Sequence, residues 1–281
     1  MAASAMKRQE TIRRHIENMT RPFASSISNG NDGCEEKVER SDTTEDVKRE
    51  KYRDFLTQAN AGSLSVFDDK RLSSLASLIS SDSSFFAQKI TFGHKHYTFG
   101  VKGLKQLVKV LPTSRIAYLD LSNSFLGKEG AFALAKHLPK TKIVTLKLFN
   151  TALDNESIET LARILPRTSV SVLDLGWNRI GDSGVAFLAA ALPSCPVQDL
   201  NLGWNMIKNG GARELSRAFG SFRIRHLILS YNHIGAYGLR DLAEALPSST
   251  VTTLWIGGNR HVKTATRKKY ESVSRLCFEC P

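Results

Sequence analysis

The sequence predicts an α/β solenoid in which short parallel strands alternate with helices. A leucine column and a proline column both recur every 27 residues, and the segment between them has apolar residues at helical spacing. Such a period is typical of stacked units that can bury their apolar faces only against their neighbours. The columns are Leu119, Leu146, Leu173, Leu200, Leu227 and Leu254, and Pro112, Pro139, Pro166, Pro193 and Pro247, with Gly220 in the remaining place.

Residues 170–196 illustrate how one unit is built. Leu173 and Leu175 are spaced as in a short strand, and Asn178 follows where the chain has to turn. Apolar residues three and four positions apart then predict a helix, which Pro193 ends. The unit therefore reads as strand, turn, helix and stop.

The strand and turn match the pattern L-x-x-L-x-L-x-x-N-x-L. Taken with a helical second half, this pattern resembles the leucine-rich repeat proteins of the ribonuclease-inhibitor type over residues 89–261. The resemblance implies a horseshoe fragment with a parallel sheet on its concave face and helices on its convex face. Strands about 4.8 Å apart beside helices about 8–10 Å apart require this curvature. One copy of the pattern is Val197, Leu200, Leu202, Asn205 and Ile207.

Two polar columns have predicted structural roles. An asparagine after each strand, as at Asn178, is expected to satisfy backbone groups of the turn, whereas Ser124 and Thr151 should support their turns less well. A second column is expected to supply the helix N-caps. It contains Asn155, Asp182 and Asn209.

The chain divides into four predicted regions. Residues 1–43 form a flexible segment with a short basic amphipathic helix, residues 44–88 a helical N-terminal cap, residues 89–261 the repeats, and residues 262–281 a capping helix and tail. The final helix is expected to carry Tyr270, Val273 and Cys277. The basic N-terminus fits a docking helix or an organelle transit peptide, and the acidic Glu10 and Glu17 favour the first.

The formal net charge of +12 lies in the repeats and the tail, because residues 1–85 hold 13 Lys and Arg against 14 Asp and Glu. Much of the surplus falls on predicted helices, where a solvated convex surface is the simplest interpretation and attraction of an anionic partner is the alternative. Nucleic acid is disfavoured because the aromatic residues lie on the opposite face. These lysines are Lys102, Lys105, Lys109, Lys136 and Lys140.

The cysteine content and the hydropathy pattern predict a cytoplasmic protein without a membrane span. Four cysteines are too few and too scattered for a secreted disulfide framework, and no apolar run approaches the roughly 20 residues that span a membrane. Cys277 and Cys280 have C-x-x-C spacing without a second pair, and His94 and His96 lie in a degenerate strand. No metal, cofactor or catalytic residue is therefore expected.

The candidate binding residues are those that the strands present on the concave face. Tryptophan and tyrosine dominate protein interfaces because they bury a large area at low entropic cost. The alternative is that the aromatic side chains stack on one another and only stiffen the rim. The predicted partner-binding residues are Trp177, Trp204, Tyr231, Trp255, Asp120, Lys147, Asp174, Asn201, Arg225 and Ile228.

These patterns predict a monomeric, non-enzymatic scaffold that binds a partner protein on its concave face. The repeat architecture is also similar to that of the activating protein of the Ran GTPase, which implies regulation of a small GTPase as an alternative. An actin-associated role and a pathogen effector that binds host proteins are further alternatives. A fold of this kind hosts many functions, so the site has to decide between them.

Overall fold

The computed structural model describes residues 69–81, 89–91, 100–259, 261–262 and 264–279. The predictions for the N-terminal amphipathic helix, for the linker and for the helix that follows it lie outside these residues. So do the predictions for His94, His96 and Cys280.

Within the described residues, strands and helices alternate, and the strands form one parallel sheet in which sequential neighbours are also spatial neighbours. This arrangement confirms the predicted α/β solenoid. The strands are β1 (Lys89–Thr91), β2 (Tyr118–Asp120), β3 (Thr145–Lys147), β4 (Val172–Asp174), β5 (Asp199–Asn201), β6 (His226–Ile228), β7 (Thr253–Trp255) and β8 (Leu276–Cys277). The helices are α1 (Asp69–Ser81), α2 (Val101–Val110), α3 (Gly127–His137), α4 (Asn155–Ala162), α5 (Asp182–Ala191), α6 (Asn209–Ala218), α7 (Ala236–Ala245) and α8 (Thr264–Tyr270).

The leucine column sets the register of the sheet. Leu119 pairs with Leu146, Leu146 with Leu173, and so on to Leu254, so the sequence period equals the step between paired residues. Each of these leucines is buried between the strands and the helices, in a single apolar core that extends from Leu72 to Leu276. One repeat therefore completes the core of the next.

The proline column ends the helices as predicted. A single 3₁₀ turn follows each α-helix from α2 to α7, directly in five cases and after two residues for α4, and proline occupies an early position of that turn in five of the six. Proline fits there because its fixed φ suits a helical turn, while its missing N–H cannot extend the α-helix. The turn with Gly220 instead, Phe219–Ser221, has the same form.

The turn asparagines connect consecutive repeats. The Asn205 side chain donates to the carbonyls of Leu175 (3.0 Å) and Leu202 (3.1 Å) and accepts from the Ile180 amide (3.0 Å). The Asn205 side chain thus binds the backbone of its own repeat and of the preceding one. The sequence predicts only a role within its own turn. Asn178, Asn232 and Asn259 repeat the arrangement.

The prediction that Asn155, Asp182 and Asn209 cap their own helices is wrong. These residues are the first helical residues, and Asp154 caps α4 by accepting from the Ser157 amide at 2.9 Å. Instead, each side chain reaches the next repeat. Asn155 Oδ1 accepts from the amides of Gly181 (2.7 Å) and Gly184 (3.1 Å), and Asn209 does the same for Gly235 and Gly238. Asp182 accepts from the Lys208 amide at 2.6 Å.

The two ends of the array are covered differently. Helix α1 packs against α2 and places Leu72, Leu75 and Ile79 in the core. At the other end the predicted capping helix is shorter than expected, because it stops at Tyr270. The chain turns back through Arg275, which has a φ of 74°, and Cys277 lies on strand β8 beside Trp255.

We expect Asn205→Ala to lower the free energy of unfolding by about 2–4 kcal/mol, because it removes several buried hydrogen bonds and leaves backbone groups of two repeats unsatisfied. Urea denaturation would measure the change. The matched control is Ser124→Ala, since the Ser124 hydroxyl is buried without a hydrogen-bond partner in the described structure. An equal loss in both variants would contradict the role assigned to the amide.

Candidate protein-interaction site

Six of the predicted site residues lie side by side in one column of the sheet. Parallel pairing places Asp120 beside Lys147, Lys147 beside Asp174, and Asp174 beside Asn201. The column continues through Ile228 to Trp255. Because strand residues alternate between the two faces, this column faces away from the leucine core. Arg225 does not belong to it, since it is exposed and precedes β6.

The polar half of this column is buried by its own neighbours. Asp120, Lys147, Asp174 and Asn201 have relative exposures of 4–6%. Their burial leaves little of their surface open for direct contact with a partner. The sequence could not indicate this, because residues on one face of a short strand become buried only when long side chains cover them.

Lys147 and Asp174 are buried neighbours of opposite charge on adjacent strands. Burial acts to lower the pKa of Lys147, but Tyr118, Asp120 and Asp174 outweigh burial and raise it. Burial raises the pKa of Asp174 to about 6. The hydrogen bonds from the Gly176 amide and from Asn201 and the charge of Lys147 act to lower this pKa, but burial outweighs them. Asp174 Oδ1 accepts from the Gly176 amide at 3.0 Å and from Asn201 Nδ2 at 2.8 Å.

The aromatic ladder, defined as Trp177, Trp204 and Tyr231, runs along the edge of this face. The ring centroids of Trp177 and Trp204 are 4.6 Å apart, and those of Trp204 and Tyr231 are 3.9 Å apart with nearly parallel planes. All three side chains are half-buried. The rings therefore do stack on one another, as the alternative interpretation expected. Because each residue is only half-buried, part of each aromatic surface stays open.

Every ladder residue has a left-handed backbone conformation, with φ between 53° and 58°. This conformation costs a bulky residue roughly 1–2 kcal/mol. It is held by backbone bonds to the next repeat, such as Trp177 N to the Gly203 carbonyl and Trp204 N to the Ser230 carbonyl, both 2.9 Å. Stacking contributes about 0.5–1.5 kcal/mol per pair, which is enough to offset much of the strain.

Gly258 ends the ladder. It has a φ of 74°, and a Cβ atom there would lie 2.5 Å from Cδ1 of Tyr231. The Tyr231 ring therefore occupies the space of a side chain that glycine lacks. At the other end, Asn150 donates to Asn123 at 3.0 Å, so an amide pair takes the place of the rings.

Next to the ladder, Trp204, Tyr231 and Trp255 pack around Ile228 in a small apolar cluster separate from the core. In the described structure the Trp204 indole N–H and the Ser230 hydroxyl are buried there without hydrogen-bond partners. Leaving such groups unsatisfied costs about 1–3 kcal/mol each. Apolar packing therefore holds this cluster together.

Sequence reasoning missed two members of the face. Tyr118 lies two residues before Asp120, and the ammonium groups of Lys89 and Lys147 are 4.6 and 5.5 Å from the centre of its ring. Cys277 extends the column beyond Trp255. The first could have been found by reading the column two positions earlier, whereas the second depended on a strand that the sequence pattern does not indicate.

The two described cysteines are poorly suited to nucleophilic chemistry. Burial raises the pKa of Cys195 to about 11, and burial together with Glu279 raises the pKa of Cys277. Both thiols therefore stay protonated near neutral pH. Among the described residues, no group of three or more His, Cys, Asp and Glu side chains could hold a metal ion, and no helix is long and apolar enough to cross a membrane.

A leucine-rich repeat family model matches residues 168–189 and 223–243. These two segments of the chain are therefore similar to a leucine-rich repeat. These matches cover two of the repeats whose asparagines link the backbone of neighbouring units. No curated protein matches the sequence.

Several solved structures are similar to this one. Actin-binding site 2 of leiomodin-1 is 16% identical, with a TM-score of 0.43 over 52% of this chain and 87% of that chain. Internalin C2 from Listeria monocytogenes is 17% identical, with a TM-score of 0.41 over 73% of this chain and 90% of that chain. Internalin F from the same organism is 16% identical, with a TM-score of 0.40 over 73% of this chain and 62% of that chain.

We expect Gly258→Ala to be more destabilising than Gly127→Ala. Both glycines have positive φ, but a Cβ at Gly127 would meet nothing within 4 Å, whereas one at Gly258 would displace the Tyr231 ring. Gly127→Ala, the control, should lower the free energy of unfolding by about 1 kcal/mol through backbone strain, and Gly258→Ala should lower it by about 1 kcal/mol more. Thermal unfolding would measure both. Equal losses would show that Tyr231 adapts without cost.

We expect Asp174→Asn to raise the free energy of unfolding above pH 6 relative to wild type, and the difference to vanish near pH 4. The folded-state pKa of Asp174 is about 6 and the reference value is 3.8, so the folded protein holds the proton more tightly. The contribution of Asp174 to stability is therefore largest at low pH and falls as the pH rises from about 4 to 6. Urea denaturation across this range would test it, and a wild type that is more stable than the variant at pH 7 would contradict it.

Proposed function

We propose that the chain is a non-enzymatic scaffold that binds a partner protein on the concave face of its sheet. The observation that supports this most is the aromatic ladder beside Ile228 and Trp255. It presents large apolar rings on a rigid edge, and rings that are already ordered lose little entropy when a partner covers them.

The arrangement of charge also supports binding at this end of the sheet. Asp120, Lys147 and Asp174 are buried side by side in the sheet, whereas Trp177, Trp204 and Tyr231 keep part of their surface open. A partner therefore gains apolar contact at the ladder without having to separate the buried charges. Exposed Arg225 lies at the start of β6 and is suited to the polar rim that surrounds such a contact.

We also infer that the repeats are of the ribonuclease-inhibitor type. Each described unit from α2 to α7 contains an α-helix of 8–11 residues, and the step between paired strand residues is a constant 27 residues from β2 to β7. A uniform helix on the convex side makes the spacing between helices larger than that between strands, which supports a curved array.

The test is affinity capture from a native lysate with a variant that carries Trp177→Ala, Trp204→Ala and Tyr231→Ala. We expect proteins captured by the wild type to be lost. Binding should weaken at least about 100-fold, because three central aromatic side chains contribute about 1 kcal/mol or more each. Quantitative mass spectrometry of the captured proteins would measure the loss.

The matched control removes three exposed apolar side chains elsewhere on the molecule, through Phe187→Ala, Met206→Ala and Tyr237→Ala. It should capture the same proteins as the wild type. If the ladder variant does not fold, Thr253→Arg tests the same face, since Thr253 is half-buried beside His226 and outside the ladder. Partners that persist in both test variants would overturn the proposal.

A further inference from the structure

A basic cleft lies on the opposite side of the molecule from the aromatic ladder. It is formed by α2 and α3, has a volume of about 420 Å³ and is open to solvent. Its apolar floor includes Val108 and Ala133, and Glu129 is the only acidic residue in its lining. Four lysines surround this floor, namely Lys102, Lys105, Lys109 and Lys136.

Most of this positive charge is not neutralised within the described structure. Lys105 pairs with Glu129 at 2.8 Å, but Lys102, Lys109 and Lys136 form no ion pair with any described residue. On later helices the corresponding cations do have partners. Arg163 pairs with Glu159, Arg217 with Glu214 and Arg213 with Asp241. Among the described helices from α2 to α7, cationic charge without an ion-pair partner is therefore concentrated on α2 and α3.

His137 lies in the same positive electrostatic field. Burial lowers the pKa of His137, and the charges of Lys136, Lys140 and Lys109 lower it further. Three lysines therefore lie close enough to one side chain to disfavour a fourth positive charge. An anionic ligand would relieve this repulsion.

An exposed aromatic side chain lies among these lysines. Phe132 lines the cleft and is 66% exposed, so its ring is open to a partner that covers the cleft. A ring flanked by lysines is suited to the boundary between lipid headgroups and acyl chains, where the ring enters the apolar layer and the ammonium groups stay at the headgroups.

We propose that this cleft binds the surface of an anionic phospholipid bilayer. Every cation in its lining besides His137 is a lysine. Lysine acts as a mobile point charge, whereas arginine recognises fixed phosphates and carboxylates through a rigid pair of donors. An all-lysine surface therefore suits a fluid layer of headgroups better than an acidic peptide with fixed geometry. The convex face projects outward, so a flat membrane can contact it while the concave face stays accessible.

The experiment is sedimentation of the full chain with phosphatidylcholine vesicles that contain or lack phosphatidylserine. Wild type should sediment only with phosphatidylserine, and high salt should release it. The variant Lys102→Gln, Lys109→Gln, Lys136→Gln should bind on the order of 100-fold more weakly, because each lysine near an anionic surface contributes about a fivefold gain in affinity. Phe132→Ala should also weaken binding, and that loss should persist at high salt.

The matched control is Arg163→Gln, Arg217→Gln, Arg240→Gln, which removes the same charge from the C-terminal end of α4 and from α6 and α7. It should bind vesicles like the wild type. An equal loss in this control would show that net charge alone drives binding and would overturn the proposal. Capture of soluble polyglutamate without vesicle binding would assign the cleft to an acidic protein instead, and unchanged vesicle binding by the lysine variant would exclude the cleft. Thermal melting verifies that all variants are folded.

Discussion

The hydrogen bonds between consecutive repeats are the constraint on which the rest of the structure depends. Asn205 binds carbonyls on both sides of the boundary between two repeats, and Asn155 fixes the start of the next helix. Polar groups buried at these turns have no access to water, so they must be satisfied by the neighbouring unit. A repeat therefore cannot shift against its neighbour without losing several bonds at once, and stability is shared along the array.

The fixed step of the repeats explains why the candidate site is a ladder. When each unit is placed at the same register, equivalent side chains lie above one another, and identical or similar types then interact. At one position this produces stacked rings from Trp177 to Tyr231, and at another a row of alternating charges through Lys147 and Asp174. The left-handed turn that carries the rings is tolerated because cross-repeat backbone bonds hold it. A surface so constrained is already ordered before a partner arrives.

Much of the fold could be predicted from the sequence, because the residues that repeat every 27 positions have simple physical roles. The leucine column gave the strand register, and the proline column gave the helix ends. The predictions that were wrong concern residues whose positions depend on adjacent repeats. The sequence predicts that Asn155 caps its own helix, but its side chain binds the next repeat. It also predicts that Cys277 lies on a helix, but Cys277 lies on a strand that pairs with β7. The candidate face was predicted by residue type, whereas the burial of Asp120 and Asn201 depends on side chains from adjacent strands.

The most direct test of the concave-face account is photocrosslinking from the chain in a native lysate. A benzophenone side chain at Thr253 would lie beside His226 on the sheet, and one at Ser183 would lie on the exposed side of α5. If the partner binds the concave face, Thr253 should give a discrete covalent adduct with a protein, and Ser183 should give none of the same mass. The same adduct from Ser183, or an adduct from Ser183 alone, would contradict it.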